Sequence, residues 1–366
     1  MGINSGPGQN GLTPGTETKK KIERSFPPGA VEQSFEKYFK KNKIEAPPIE
    51  VLILFTRHHS LEDAAWIEQH YKEADIFVPE AVGWDEEYLA RFQEYANGVS
   101  LPIERNMQKD PFSDTMRKFV KRNPGKKIAM IDIPGGTEKF KTMDDEYERI
   151  SAKLRLLVGE KLPFDQAVEK NYQLLKAKIP EDDYRERKMI ASFPGEIARI
   201  LKEYPELKEK KSLKVVMYLG AKHTRLFHWL KQRGENVNQK FQEMPHAFVP
   251  ESVVTRSELL KKGLPLKNEI KEQAFFSRIL FEKTFLQKTF NLTRSEEFTA
   301  YLNFIMKNIS SSEMKNLYEL LITEKDDLAF KKEFEKVLKA KNVPIIKTSY
   351  DVEKVRNWVL EEDRQN

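Results

Sequence analysis

Short apolar runs, separated by helical patterns, dominate the first two thirds of the chain. Between the runs, apolar positions recur three or four residues apart, as they do on one face of a helix. The runs cover residues 51–55, 76–78, 128–131 and 215–219. Nearly continuous apolar strands are typical of a parallel sheet that is covered on both faces. We therefore predict an α/β fold with a mainly parallel sheet flanked by helices.

Cap and breaker residues mark the expected helix boundaries. Ser60, followed by two acidic residues, has the pattern of a helix N-cap directly after the first strand. Because proline removes a backbone donor, Pro163 is expected to divide a helical stretch over residues 144–178. For the same reason, Pro194 is expected to divide a second stretch over residues 181–207.

The chain changes character beyond about residue 250, where helical patterns continue without any strand-like run. We predict a flexible tail over residues 1–28, which are rich in glycine, proline and asparagine. An α/β domain is predicted over residues 29–249. An all-helical C-terminal region is predicted over residues 250–366, and it could form a lid or contact a protein partner.

The composition removes several chemistries. The 366-residue chain has no cysteine, which excludes disulfide bonds, a thiolate nucleophile and cysteine metal ligands. No stretch approaches the roughly 20 apolar residues of a membrane-spanning helix. Residues 1–18 also lack the apolar segment of a secretory signal. We expect a soluble, cytoplasmic protein whose chemistry depends on histidine, aspartate and glutamate.

The charge pattern does not favour a nucleic-acid partner. The 63 basic and 57 acidic residues are interleaved, apart from a lysine run at residues 19–21, and they leave a net charge of +6. A nucleic-acid binder that used this run and the C-terminal helices would bind with strongly salt-dependent affinity. We rank that class last and expect a small-molecule or peptide substrate.

Polar residues follow each predicted strand. The carboxyl ends of parallel strands lie at one edge of a sheet, where ligands of such folds bind. We therefore expect histidines and two carboxylates to converge there. The segments are Thr56-Arg57-His58-His59, Pro79-Glu80, Asp132 and Gly220-Ala221-Lys222-His223.

Each of these residues also has a purely structural interpretation. The two histidines after the first strand could be ordinary loop residues, and Glu80 and Asp132 could be solvated strand ends. His223 is the stronger candidate, because Gly220 permits close approach of a ligand to the backbone at a strand-to-helix turn. The remaining histidines are interpreted as ordinary helix or loop residues, and they are His70, His228 and His246.

The order of the motifs resembles the superfamily that groups TraB and the TIKI proteases with erythromycin esterase and the ChaN proteins. The resemblance spans about residues 49–235 and leaves the C-terminal helices uncovered. The matching segments are Phe55-Thr56-Arg57-His58-His59-Ser60, Val78-Pro79-Glu80, Arg185-Glu186-Arg187-Lys188-Met189 and Leu219-Gly220-Ala221-Lys222-His223.

The resemblance implies a hydrolase that cleaves peptide bonds with a divalent metal, or cleaves an ester. The implied catalytic residues are His58, Glu80, Arg185, Glu186 and His223. Asp132 is a secondary candidate because of its position at a strand end. In a metal-dependent version, His58, Glu80 and His223 would hold manganese, cobalt or zinc. In a metal-free version, His58 would act as the general base and Glu80 would orient it.

Two further roles follow from the same resemblance. Arg185 would stabilise negative charge that develops on a substrate oxygen, and Glu186 would hold its guanidinium in place.

A non-catalytic ligand-binding or regulatory protein on the same fold is the alternative. Phe55 replaces the glycine usual before the first motif, and Glu186 replaces the usual aspartate or asparagine, and both departures favour this alternative. Two other motifs give no site. The Gly-Gly pair at residues 135–136 lacks the spacing of a phosphate loop and is interpreted as a turn, and the chain has no Gly-x-Ser-x-Gly nucleophile motif.

Overall fold

The computed structural model describes residues 34–56, 61–99, 111–241, 250–260, 266–282, 296–323 and 328–345, together with Trp358. The predicted tail and the Ser60 cap lie outside the described residues, and so does the end of the predicted helical region from residue 346 onward, apart from Trp358. Within the described ranges, no helix is both long enough and apolar enough to cross a membrane.

Five parallel strands form one sheet, which confirms the predicted α/β class. The strand order across the sheet is β3-β2-β4-β1-β5. The strands are β1 (Ile49–Thr56), β2 (Ile76–Val78), β3 (Lys127–Ile128), β4 (Leu213–Gly220) and β5 (Asn236–Phe241).

The four strands predicted from apolar runs are present, and a fifth was not predicted. β3 is shorter than its apolar run, although Ala129 continues the pairing by donating its N–H to the Phe77 carbonyl at 2.9 Å. β5 escaped prediction because Val237 is its single buried residue. An exposed edge strand of this kind lacks the apolar run from which a strand can be predicted.

Thirteen α-helices are described. Those of the α/β part are α1 (Phe35–Asn42), α2 (Leu61–Tyr71), α3 (Glu86–Ala96), α4 (Pro111–Arg122), α5 (Glu138–Leu156), α6 (Phe164–Ala177), α7 (Ile179–Glu203) and α8 (Thr224–Gln232). Those that follow are α9 (Pro250–Leu260), α10 (Asn268–Glu282), α11 (Glu296–Asn308), α12 (Ser311–Thr323) and α13 (Leu328–Ala340). Short 3₁₀ segments cover Leu157–Glu160, Pro205–Glu209 and Ala221–His223.

Helices cover both faces of the sheet. Successive side chains of a strand point to opposite faces, and in β1 Ile53 and Leu54 belong to two different hydrophobic cores. The core around Ile53 includes residues of α1, α7 and α8, whereas the core around Leu54 includes residues of α2, α3 and α4. Burial on both faces explains why the strands read as continuous apolar runs.

The two prolines behave differently. Pro163 lies directly before α6 and separates it from α5, as predicted. The prediction for Pro194 is wrong, because α7 runs unbroken through it for 25 residues. Phe193 and Ile197 flank this proline on the buried face of the helix, so packing against the sheet outweighs the loss of one backbone hydrogen bond.

The C-terminal region is helical in its described residues, as predicted, and its helices α10 to α13 pack around one hydrophobic core. This core also takes in Phe164 and Val168 of α6. Phe275 and Tyr318 pack against Phe164, with ring centroids 6.0 Å and 5.7 Å away. The C-terminal helices therefore pack directly on a helix of the preceding α/β part.

Candidate functional site

Five side chains meet at the carboxyl edge of the sheet, and we call them the strand-end cluster. They are Glu80, Asp132, Arg185, Glu186 and His223. Three of them follow neighbouring strands: Asp132 after β3, Glu80 after β2 and His223 after β4. The other two come from the second turn of α7, which packs across this part of the sheet.

Arg185 lies at the centre of the cluster. Its Nε donates to Asp132 Oδ1 at 2.9 Å and its Nη2 donates to Asp132 Oδ2 at 2.5 Å, which makes a two-pronged pair. Nη2 also donates to Glu80 Oε1 at 2.7 Å. Charge-assisted bonds to two carboxylates fix the plane of the guanidinium.

Backbone contacts hold Asp132 in position. The N–H of Ile133 donates to Asp132 Oδ1 at 2.8 Å, and the indole of Trp84 donates to the Asp132 carbonyl oxygen at 2.9 Å. The Trp84 bond links the loop after β2 to the loop after β3. These bonds fix the position of the Asp132 carboxylate without any contribution from a ligand.

The same two loops also touch through their glycines. Gly135 donates its N–H to the Trp84 carbonyl at 2.6 Å, and Gly83 donates its N–H to the Ile133 carbonyl at 2.8 Å. A Cβ at position 135 would lie 2.6 Å from the Gly83 carbonyl oxygen, so only glycine fits there. Residues 135–136 form a turn, as predicted, and this turn keeps the loops of Glu80 and Asp132 together.

Glu80 connects the cluster to β4. Its Oε2 accepts the backbone N–H of Gly220, the last residue of that strand. Its Oε1 accepts from Arg185 and lies 3.3 Å from His223 Nε2. Both oxygens of this carboxylate are therefore engaged by the protein.

His223 is fully buried between two carboxylates. Its Nδ1 lies 3.1 Å from Glu186 Oε1, its Nε2 faces Glu80, and Arg185 Nη1 lies 3.4 Å from Nε2. Burial by itself lowers the pKa of His223, but the charge of Glu80 and the hydrogen bond to Glu186 outweigh it, and the pKa is raised. The ring is therefore suited to carry a proton, with Nδ1 in hydrogen-bond contact with Glu186 and Nε2 in an ion pair with Glu80.

Glu186 does not hold the Arg185 guanidinium, which corrects that prediction. Its Oε1 faces His223 and its Oε2 accepts from Arg225 Nε at 2.6 Å, whereas Asp132 and Glu80 hold Arg185. The reason is geometric, since adjacent residues of a helix point in directions about 100° apart.

Arg225 is a partner of the cluster that the sequence analysis missed. Besides Glu186, it contacts Asp183 Oδ1 at 2.7 Å and donates to the Leu259 carbonyl, near the end of α9, at 3.3 Å. Its guanidinium also stacks on the Trp229 ring at 4.3 Å. The available signal was Glu186 itself, because a buried carboxylate requires a cationic partner and Arg225 lies in the first turn of the helix that follows His223.

Charge is balanced when His223 carries a proton. The three carboxylates of Glu80, Asp132 and Glu186 face the two guanidinium groups of Arg185 and Arg225, so a positive imidazole completes the neutralisation. The partly exposed Asp183, which also contacts Arg225, has Arg187 as a further partner. A buried excess charge is costly, and this balance agrees with the raised pKa of His223.

Exposure separates the cluster into two layers. The side chains of Arg185 and Glu80 retain 11% and 12% of their accessible surface, whereas those of His223 and Glu186 retain none. Arg185 and Glu80 are thus the members that a ligand can touch. His223 and Glu186 act on a ligand only through them.

His58 lies outside the described residues, and so does His59. The chain leaves β1 at Thr56, which pairs with Gly220 of β4, directly beside the cluster. His58 follows Thr56 by two residues in the sequence. Its place in the site stays a prediction.

The described members of the predicted metal site do not suit a metal. Both oxygens of Glu80 and both ring nitrogens of His223 face protein partners, and the Arg185 cation lies between them. In the part of the chain that the structure describes, no group of three or more histidine, aspartate or glutamate side chains could hold a metal ion.

Comparisons with protein-family models, with curated proteins and with solved structures give no match. The resemblance to the TraB, TIKI and erythromycin esterase superfamily therefore stays a prediction that rests on the quoted motifs.

Proposed function

We propose that the protein is a hydrolase of ester or peptide bonds that works at the strand-end cluster. The observation that carries the proposal is the Arg185 guanidinium, which Asp132 and Glu80 fix at the carboxyl edge of a parallel sheet. Its Nη1 atom is not engaged by either carboxylate and faces His223. A fixed cation at such an edge is suited to stabilising negative charge on a substrate oxygen.

The proposed reaction proceeds without a metal. His58 takes a proton from water, and the water oxygen attacks the carbonyl carbon of the substrate. Arg185 stabilises the negative oxygen of the tetrahedral intermediate. When the intermediate collapses, the protonated His58 returns its proton to the leaving alcohol or amine. The pairing of Thr56 with Gly220 supports this arrangement, because the chain enters residues 57–60 beside the cluster.

His223 and Glu186 are positioning residues in this proposal. Neither side chain is exposed, so neither contacts a substrate in this arrangement. A protonated His223 donates toward Glu80, and Glu80 in turn accepts from Arg185. The orientation of Arg185 thus depends on groups that lie beneath the surface.

A non-catalytic binding protein is the second candidate. The observation that favours it is the self-sufficiency of the cluster, in which each carboxylate already has a cationic partner. Such a site could bind the anionic or carbonyl group of a ligand at Arg185 without activating water.

The test is hydrolysis of nitrophenyl esters and fluorogenic peptides by the wild type and two arginine variants. Arg185→Lys keeps the charge but loses the planar fork, so kcat should fall by at least about a hundredfold. Arg187→Lys is the matched control, since Arg187 lies on the same helix but pairs with the partly exposed Asp183, and its activity should be unchanged. Wild-type protein without activity on the whole panel would favour the binding protein. Equal losses in both variants would contradict the role given to Arg185.

Metal removal checks the metal-free step. Activity in EDTA should equal activity in plain buffer, because the described groups that could ligate a metal are already paired. Activity that EDTA abolishes and that manganese, cobalt or zinc restores would contradict the metal-free reaction and favour the metal-dependent version.

A further inference from the structure

A groove lies at the opposite edge of the sheet from the strand-end cluster, and nothing in the proposed hydrolysis uses it. The groove has a volume of about 580 Å³ and lies before the amino ends of β1 and β4. Three segments form its walls: the end of α1, the last turns of α7 and the 3₁₀ segment Pro205–Glu209. The lining residues are Lys43, Ile44, Glu45, Gly195, Ala198, Arg199, Lys202 and Lys208.

Positive charge dominates the lining. Four of its residues are cationic and one, Glu45, is acidic. Arg199 is already neutralised, since it pairs with Glu196 at 3.1 Å and with Glu203 at 2.8 Å. Lys43, Lys202 and Lys208 form no ion pair with any residue that the structure describes, and all three line this one groove.

The three lysines come from separate elements, so the fold brings them together. Lys43 ends α1 in a left-handed conformation with φ 55°, Lys202 lies in the last turn of α7 and Lys208 lies in the 3₁₀ segment. Like charges repel one another, and a concave surface concentrates their field. An anion between them removes that repulsion, and phosphate offers several acceptor oxygens to point donors such as lysine.

The groove also has a part without charge. Ile44 and Ala198 are half-buried and line it, and Gly195 leaves room beside the Tyr38 hydroxyl, which would lie 3.3 Å from a Cβ at that position. The volume lies in the range of sites that hold small organic molecules, and it exceeds the space that an inorganic anion fills. The lining therefore suits a molecule with both a polyanionic group and an organic part.

We propose that this lysine groove binds a small organic molecule that carries phosphate groups, with Lys43, Lys202 and Lys208 on the phosphates and Ile44 and Ala198 against the organic part. The site is separate from the strand-end cluster. The proposal therefore stands whether or not the hydrolase proposal does.

The experiment is isothermal titration of the full chain with ADP and with pyrophosphate at low ionic strength. We expect one saturable site, tighter for ADP than for pyrophosphate because the organic part adds contacts. The double variant with Lys202→Gln and Lys208→Gln should bind ADP about a hundredfold more weakly, at roughly tenfold for each lost ammonium–phosphate bond. Lys231→Gln, an exposed lysine on α8 that does not line the groove, is the matched control and should bind like the wild type.

The outcomes separate the parts of the proposal. Absence of saturable binding by the wild type would overturn it, and so would an equal loss in the double variant and the control. If pyrophosphate binds as tightly as ADP, the proposed contact with the organic part of the ligand is wrong, and the groove is a site for anions in general. A thermal unfolding curve of the double variant that matches the wild type ensures that a loss of binding is not a loss of fold.

Discussion

Single residues of the strand-end cluster show how a buried charge is kept. Glu186 has no exposed surface, yet it has a cationic or protonated partner at each oxygen, Arg225 on one side and His223 on the other. Removing one member of such a group leaves an uncompensated charge in a region without water, which typically costs about 3–5 kcal/mol. The cluster is therefore one electrostatic unit rather than five independent side chains.

The protonation of His223 should make stability depend on pH. Its pKa is raised above the ordinary 6.5 in the folded chain, so the stability it contributes is fully present below that ordinary value and is lost as pH rises through the folded pKa. Free energies of unfolding in urea, from about pH 5 to about pH 9, should show the advantage of the wild type over His223→Gln shrinking toward high pH. His228→Gln, at an exposed histidine of α8, serves as the control for a histidine-to-glutamine change outside the cluster. A difference that grows with pH would mean that His223 is buried in its neutral form.

Most members of the cluster could be predicted at the residue scale because of a single rule. Polar residues that end neighbouring parallel strands must share an edge, and this rule brought Glu80, Asp132 and His223 together. Which partner each side chain would choose could not be predicted. That choice depends on side-chain directions on α7, and on Arg225, whose importance appears only when Glu186 is seen to be buried.

At the scale of elements, the contact between the loops after β2 and β3 gives the site its shape. These loops approach so closely that the backbone of Gly83 lies where a side chain at position 135 would be. Two backbone hydrogen bonds and the Trp84 indole reinforce the contact. The relative position of Glu80 and Asp132 thus depends on a residue that carries no side chain.

Gly135→Ala should loosen this contact. The added Cβ would lie 2.6 Å from a backbone oxygen that cannot rotate away, so the loops must separate, and we expect a loss of about 1–3 kcal/mol in the free energy of unfolding. Gly159→Ala is the matched control, since nothing lies within 4 Å of a Cβ there, and its stability should stay close to that of the wild type. Urea denaturation of both variants measures the difference. Equal stability would show that the loops can move apart without cost.

Elements were predictable where a local signal and the tertiary structure agreed. The apolar runs located four strands, and Pro163 located the start of α6. β5 was missed because most of its residues are exposed, and Pro194 misled because the packing of α7 outweighs a local preference. Both errors come from interactions between elements that are distant in sequence.

At the scale of the whole molecule, the C-terminal helices and the α/β part are joined by shared core residues. Phe164 of α6 packs with Phe275 of α10 and with Tyr318 of α12. Arg225 adds a polar link, since it joins Glu186 to the carbonyl of Leu259 in α9. Unfolding of the C-terminal helices should therefore also disturb the strand-end cluster.

Phe275→Ala tests this connection. The side chain is fully buried, so its removal should cost about 3–5 kcal/mol, and the shared core predicts one unfolding transition that moves to lower urea concentration. Leu328→Ala, at a residue that is 52% exposed, is the control and should change stability by less than about 0.5 kcal/mol. For Phe275→Ala, the urea unfolding curves measured by circular dichroism and by tryptophan fluorescence should coincide. Two separate transitions, with the sheet unaffected, would instead show that the two parts unfold independently.

The unbroken course of α7 has a consequence for how many ligands the chain can hold. Arg185 lies in the second turn of this helix and Lys202 in its last turn, so about 25 Å of helix axis separates the two. Molecules bound at the two ends would not touch each other. At physiological salt, where the Debye length is about 8 Å, dissolved ions would also screen the charge of one molecule from the other. Two different ligands bound to one chain are therefore compatible with the fold, and a molecule in the lysine groove would not cover the exposed parts of Arg185 and Glu80.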